Sequence, residues 1–438
     1  MAKVGKISGF PEWLPEQKLA EDRIIAKIKK LYGSYGFTPI ETPAVELLTT
    51  LGSKGVIDKE IFAVKRLRAA EGDEAEMGLH FDLTVPFARY VAQHAQALSF
   101  PFKRYQLQKV WRGDRPQKGR FREFYQFDID IIARNELPLS CDAEVLSLVG
   151  LVMNEVNFGR YLIRINHRKL LGGVYAEVGL DEAQRKAAII AVDKLLKIGI
   201  DGVAAELSKI EGLSQAAIEV IIKSTTVQCP IGELEQRIAQ LGLSSEAISE
   251  GVRDLRKICA LLPESVLGNV VIDLTVARGL DYYTGIVVEV GMTDYPEFGT
   301  VFAGGRYENL ASDFTDQALP GVGVSVGLSR LMELAFDKKL ISTEQKTTTQ
   351  ALVAVYSEAD RIVCGQIANE LRAAGVATEV FYKSPKLGKQ IDYADAKGIR
   401  YVFFVEDNGA KVQVKDLLSK EQIAVDSLAA WAAKTFGA

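Results

Sequence analysis

The stretch RYQLQKVWRGDRPQKGRFREFYQFDID, residues 104–130, decides the fold. Two strand-like runs flank Asp114-Arg115-Pro116-Gln117-Lys118-Gly119, a cluster of turn formers. Between positions 103 and 123 stand eight Lys or Arg and only two acids, Asp114 and Glu123. Phe121, Phe124 and Tyr125 interleave with the basic residues. Arginines on facing strands make a fork for phosphate oxygens, and an aromatic ring gives a base a face to stack on. A solvated charged loop is the alternative reading of the same residues.

The rest of the chain bounds that choice. Its 438 residues suggest about three domains. Apolar residues make up 48% and charged residues 25%, which excludes a disordered or fibrous chain. The net charge is −4, so any nucleic-acid contact must come from a local patch. Cys141, Cys229, Cys259 and Cys364 lie far apart, without zinc-ligand spacing, and there are only three histidines. No protein-built metal site is expected. The start lacks an apolar signal-like core and no long apolar run follows, so the expectation is a cytoplasmic enzyme that does not meet the membrane.

Periodicity divides the chain. Residues 15–35 carry Ile24, Ile25, Ile28, Leu31 and Tyr32 at helical spacing. From 166 to 262 the pattern is nearly all helical, including one run over 182–198, and it has the look of an inserted module. Strands return at 270–274, 286–291 and 299–303, and a helix follows at 328–336. Residues 339–349 are polar and Thr-rich, as a linker would be. From 350 to 438 strands alternate with helices, which predicts a small sheet, largely parallel in its first half, with helices on its faces.

Three further motifs carry chemistry. Arg278-Gly279-Leu280-Asp281-Tyr282-Tyr283-Thr284-Gly285 sits at a strand-like region, where glycines permit a bend and tandem tyrosines take opposite faces. Gly321-Val-Gly-Val-Ser-Val-Gly327 leads into Arg330; it lacks the βα context of a dinucleotide loop and reads as a glycine-rich strand feeding a helix. In His80-Phe81-Asp82-Leu83-Thr84, Asp82 and Thr84 would share one face of a strand and bind an ammonium together; a helix cap is the other reading.

Together these pieces resemble the class II aminoacyl-tRNA synthetases, and among them the histidyl-tRNA synthetase family. Residues 278–285 resemble that family's histidine motif. Residues 112–122 resemble class II motif 2, Thr42-Pro43 motif 1, and residues 323–330 motif 3. The stretch Leu387-Gly388-Lys389-Gln390-Ile391-Asp392-Tyr393-Ala394 fits the anticodon-binding domain. The resemblance implies an α/β fold, with an antiparallel sheet flanked by helices as its α+β core. Residues 1–165 and 263–338 would build that core, 166–262 a helical insertion domain, and 350–438 a C-terminal α/β anticodon-binding domain.

The implied activity is ligation of L-histidine to tRNA(His) by way of a histidyl-adenylate, with ATP as substrate, Mg²⁺ accompanying it, and a homodimer formed through motif 1. Arg278 and Arg112 would be catalytic, bridging the carboxylate and the α-phosphate. Asp82, Thr84 and Gln126 would hold the α-ammonium; Asp130 and Tyr282, with Tyr283 nearby, would recognise the imidazole. Asp114 and Arg120 would serve ATP, Arg120 at its terminal phosphates, and Phe124 and Arg330 would sandwich the adenine. Arg115 and Gln117 would meet the acceptor end of the tRNA. Lys383, Lys386 and Lys389 are candidates for phosphate contact in a C-terminal region that as a whole balances 11 basic against 11 acidic residues. Asp82 and Asp130 stand where many bacterial members have Glu, and His80 where the family often has Arg. The alternative considered is the related non-aminoacylating regulatory subunit of ATP phosphoribosyltransferase.

Overall fold

The computed structural model describes residues 5–52, 60–68, 72–277, 283–308 and 310–437. Two compact units emerge, one from Met1–Pro11 with Ala26–Leu340 and one from Glu12–Ile25 with Ile341–Ala438.

The first unit is built on a nine-stranded sheet. Its strands are β1 (Thr38–Pro39), β2 (Phe102–Trp111), β3 (Glu123–Ile132), β4 (Tyr161–His167), β5 (Gln228–Cys229), β6 (Val270–Asp273), β7 (Tyr283–Met292), β8 (Thr300–Tyr307) and β9 (Gly321–Gly327). They lie in the order β1-β2-β3-β9-β8-β7-β4-β6-β5. From β2 to β4 every pairing is antiparallel. The turn formers 114–119 do join two long strands, β2 and β3.

The two faces of that hairpin differ, because alternate residues of a strand point to opposite sides. In register, Tyr105 meets Ile129 and Leu107 meets Phe127 on one face; Arg104 meets Asp130, Gln106 meets Asp128 and Gln108 meets Gln126 on the other. On β9, Val322, Val324 and Val326 join the apolar face, and all three are buried. Tyr32 of the helix Pro15–Ser34 closes over that face, its ring 5.2 Å from Phe127 in a T-shaped contact. The helix Leu139–Val156 also packs on β3, β8 and β9. With one face sealed this way, the polar face is left as the floor of a site.

Residues 168–267 are mostly helical, as their periodicity predicts. The expected run 182–198 divides in two, Glu182–Asp193 and Leu195–Leu207, and the second contains Gly199 at φ +69°. Asp181 and Gln184 form a reciprocal capping box at the start of the first.

The second unit has a five-stranded sheet in the order Thr378–Val380, Ala351–Val353, Tyr401–Glu406, Lys411–Asp416, Gln422–Ala424. The first three strands are parallel and the remainder antiparallel, in line with the alternation read from the sequence. Helices Arg361–Ala373 and Leu428–Phe436 contribute Leu371 and Trp431 to its core. Among the described residues no helix is long and apolar enough to cross a membrane.

Candidate active site

Two cavities open on the polar face of the large sheet. The smaller, about 140 Å³, is lined by Asp82, Thr84, Gln126, Asp130 and Tyr283, five of the six residues expected to bind the amino acid. The larger, about 400 Å³, is lined by Arg112, Asp114, Arg120, Phe124 and Arg330, the set expected to bind ATP. Arg112, Gln126, Ala303 and Ser325 line both, so the cavities adjoin. Arg278 and Tyr282 lie outside the described residues.

The expected strand through Asp82 and Thr84 is a correction. The strand ends at Leu79, and the helix Thr84–His94 begins directly after Leu83. Asp82 Oδ1 accepts the Val85 N–H at 3.2 Å, so Asp82 serves as a cap. The cap reading wins because Pro86 sits inside the first helical turn, where its missing N–H costs nothing. Both side chains still line the smaller cavity. His80 is fully buried, its Nε2–H donating to the Lys109 carbonyl at 2.7 Å, and burial above all holds its pKa down.

Charge is concentrated at the floor. Arg104 is fully buried, with Nη2 2.6 Å from Asp130 Oδ2 and its guanidinium 4.1 Å from the Phe87 ring centroid. The Tyr307 hydroxyl donates to Asp130 Oδ1 at 2.9 Å. Burial pushes the Asp130 carboxyl up to about 6 and that of Asp128 up to about 7, against the pull of Arg104. Asp82 is also raised, chiefly by burial, with the Val85 N–H and Arg112 opposing it.

In the larger cavity the cations are fixed by backbone and carboxylate partners. Arg112 Nε donates to the Phe81 carbonyl at 2.9 Å, and its guanidinium stands 5.3 Å from the Phe124 ring centroid. Arg120 makes a bidentate pair with Asp114, at 3.0 and 2.7 Å. Arg330 is the third residue of the helix Leu328–Asp337 that β9 feeds, and its Nε donates to the Gly119 carbonyl at 2.7 Å. Arginines held before a ligand arrives need little reorganisation to meet phosphate oxygens. Lys197, from the helix Leu195–Leu207, also reaches this cavity.

Comparison with known proteins agrees with this geometry. Residues 9–331 match the family model described as histidyl-tRNA synthetase, and residues 350–435 that of the anticodon binding domain. The chain belongs to the histidyl-tRNA synthetase family. A histidine–tRNA ligase of Thermobifida fusca is 43% identical, with 97% of each chain covered. The crystal structure of a histidyl-tRNA synthetase from Nostoc sp. PCC 7120 superposes with a TM-score of 0.86 at 35% identity, covering 99% of this chain and 100% of that one. A Bacillus halodurans structure titled ATP phosphoribosyltransferase regulatory subunit/histidyl-tRNA synthetase shares the fold, with a TM-score of 0.73 at 21% identity over 89% of this chain and 96% of that one.

Within this histidyl-tRNA synthetase family member, sequence reasoning missed Arg104, Asp128, Tyr307 and Ser325. A signal was present for Asp128: Gln126, Asp128 and Asp130 alternate with Phe127 and Ile129, and a polar set at period two in a buried strand marks a site face. The glycine-rich strand also gains a reason. β9 places Gly323 opposite Asp130 and Ser325 opposite Asp128. A Cβ at Gly323 would lie 1.9 Å from Asp130 Oδ1. The glycine is there to leave room for a carboxylate. Gly323→Ala is therefore expected to raise the KM for histidine by about tenfold, with the KM for ATP unchanged, at the 1–3 kcal/mol typical of overpacking. Steady-state pyrophosphate exchange checks this, and equal shifts for both substrates would count against it.

The residues expected at tRNA are exposed. Arg115 and Gln117 lie on the loop between β2 and β3. In the second unit Lys383, Lys386 and Lys389 are exposed around the start of the helix Leu387–Lys397, where the helix dipole adds to their charge. Among the described residues no three His, Cys, Asp or Glu side chains are grouped to hold a metal ion.

Proposed function

We propose that this chain activates L-histidine with ATP, giving histidyl-adenylate and pyrophosphate, and then transfers the histidyl group to the 3′ end of tRNA(His). The observation that carries this reading is the pair of adjoining cavities with Arg112 on both. An acidic pocket for a cationic amino acid and a basic cleft for a nucleotide meet at one guanidinium.

In this reading the histidine carboxylate enters toward Arg112 and attacks the α-phosphate. Negative charge builds on the phosphoryl oxygens, and Arg112, joined by Arg278, stabilises it. The attacking carboxylate is already ionised, so no general base is needed. Asp82, Thr84 and Gln126 take the α-ammonium; Asp130, Tyr282 and Tyr283 take the imidazole. An apolar amino acid would leave buried polar groups unpaired, which is a strong basis for selectivity. Phe124 and Arg330 hold the adenine, Arg120 and Asp114 the phosphate end, and Mg²⁺ enters with ATP as part of that substrate. Arg115 and Gln117 meet the acceptor end, and Lys383, Lys386 and Lys389 contact phosphates elsewhere on the tRNA. The working form in this proposal is a cytoplasmic homodimer joined through the segment around Thr42-Pro43.

The test is ATP–pyrophosphate exchange by the purified full chain. Exchange with histidine, and with no other amino acid, is expected. Absence of exchange in protein that still binds histidine would shift the reading to a non-aminoacylating histidine sensor.

A further inference from the structure

The smaller cavity holds a third carboxylate for which the expected site has no task. Asp128 lies between Gln126 and Asp130 on the same face of β3 and lines that cavity. It is 2% exposed, and among the described residues its Oδ1 has no hydrogen-bond partner. Its neighbours are differently placed. Asp130 is engaged on both oxygens, by Arg104 and by the Tyr307 hydroxyl. Asp82 accepts from the Val85 N–H.

Ser325 fixes the orientation of the pair that is left. Its hydroxyl accepts from the Gln126 amide nitrogen at 2.6 Å and is hydrogen-bonded to Asp128. A hydroxyl that donates to a carboxylate must accept from the amide, so the Gln126 N–H side faces Ser325. Gln126 Oε1 is thereby left without a partner among the described residues, at a residue 8% exposed. Two buried acceptors, one of them a carboxylate, thus stand side by side on one cavity wall. Buried acceptors call for donors, and a buried carboxylate calls for a positive one. A neutral imidazole brings a single N–H, whereas an ammonium brings three and a charge.

We propose that Asp128 is the main counter-charge for the α-ammonium of the amino-acid substrate, with Oδ1 taking one N–H and Gln126 Oε1 a second. The proposal rests on reading the smaller cavity as the histidine site. Asp82 and Thr84, which line the same cavity, then assist at the ammonium, and Asp130 is left to the ring.

The test uses two ligands that differ only at Cα: L-histidine, and imidazole lactate with a hydroxyl in place of the ammonium. Calorimetry on the full chain with Asp128→Asn should show histidine affinity reduced about thirty-fold, as expected for loss of a charge-assisted hydrogen bond, and imidazole lactate affinity unchanged within a factor of two. Equal weakening of both ligands would assign Asp128 to the ring or to packing and overturn the proposal. No change in either would overturn it too. Wild-type protein that binds imidazole lactate but not histidine would overturn it at the ammonium alone, and wild-type protein that binds neither would instead remove the underlying reading of the cavity. If the Asn variant does not fold, Ser325→Ala provides the second reading. It releases the Gln126 amide and the Asp128 carboxylate, and should weaken histidine several-fold while sparing imidazole lactate.

Discussion

Arg112→Ala should slow formation of the adenylate by about 10²–10³-fold, the usual effect of removing one preorganised donor from a developing oxyanion. The expectation follows from position. Arg112 is tethered through its Nε to the Phe81 carbonyl, which leaves the far end of the guanidinium to face the junction of the two cavities. Its charge is also one of the influences that hold the raised Asp82 carboxyl down. Single-turnover activation measured with quenched flow separates the chemical step from release. The melting temperature should change little, because the side chain is half-buried and its contacts are one carbonyl hydrogen bond and the face of Phe124. A rate within a few-fold of wild type would take Arg112 out of the mechanism. Arg112→Lys should recover little, since an ammonium cannot hold the carbonyl and present a planar fork at once.

Replacing Arg104 should damage the fold rather than the chemistry. Its guanidinium is fully buried between Asp130, Gln106 and the Phe87 ring. Arg104→Met keeps most of the volume and removes the charge, so it leaves a buried carboxylate without its counter-ion. About 3–5 kcal/mol of stability should be lost, as when one partner of a buried pair is removed. Urea denaturation measures this, and a loss under about 1 kcal/mol would refute it. The pH dependence has a definite sign. The folded Asp130 carboxyl already titrates at about 6, above its ordinary value. Without Arg104 it rises further, so the folded state holds that proton more tightly. A raised folded pKa gives stability that is present at low pH and lost as pH climbs through it. The deficit of the variant should therefore be smaller near pH 5.5 than near pH 8. Arg104→Met combined with Asp130→Asn should restore much of the loss.

The sequence and the structure agree best where the information is local. Turn formers between two strand-like runs gave the β2–β3 hairpin, and alternation of strands and helices gave the second unit. Arg112, Arg120 and Phe124 came from the charge and aromatic pattern of one stretch, and they do meet in one cavity. What stayed hidden depends on register. Nothing near Asp130 in the chain says that Arg104 lies beside it, or that Tyr307 reaches it from β8. Those neighbours are set by cross-strand pairing over as many as 177 residues. Asp82 was left between two readings for a related reason. An Asp-x-Thr reads equally well as the end of a strand or the start of a helix, and the contest was settled by the helix that follows.

The bare face of β9 has a consequence for how such a pocket is mapped and how it drifts. Alanine is normally the smallest residue that can be tried at a position, so a scan reads out what each side chain contributes. Along Gly321 and Gly323 alanine is the larger residue, and its methyl would collide with Tyr307 or Asp130. A scan would score both positions as indispensable although neither offers a side chain to a substrate. The information is held there as vacancy. Single-step change at these two glycines can only add bulk, so altered selectivity by way of them must begin with a shorter partner on β3 or β8, and only then can a side chain enter there.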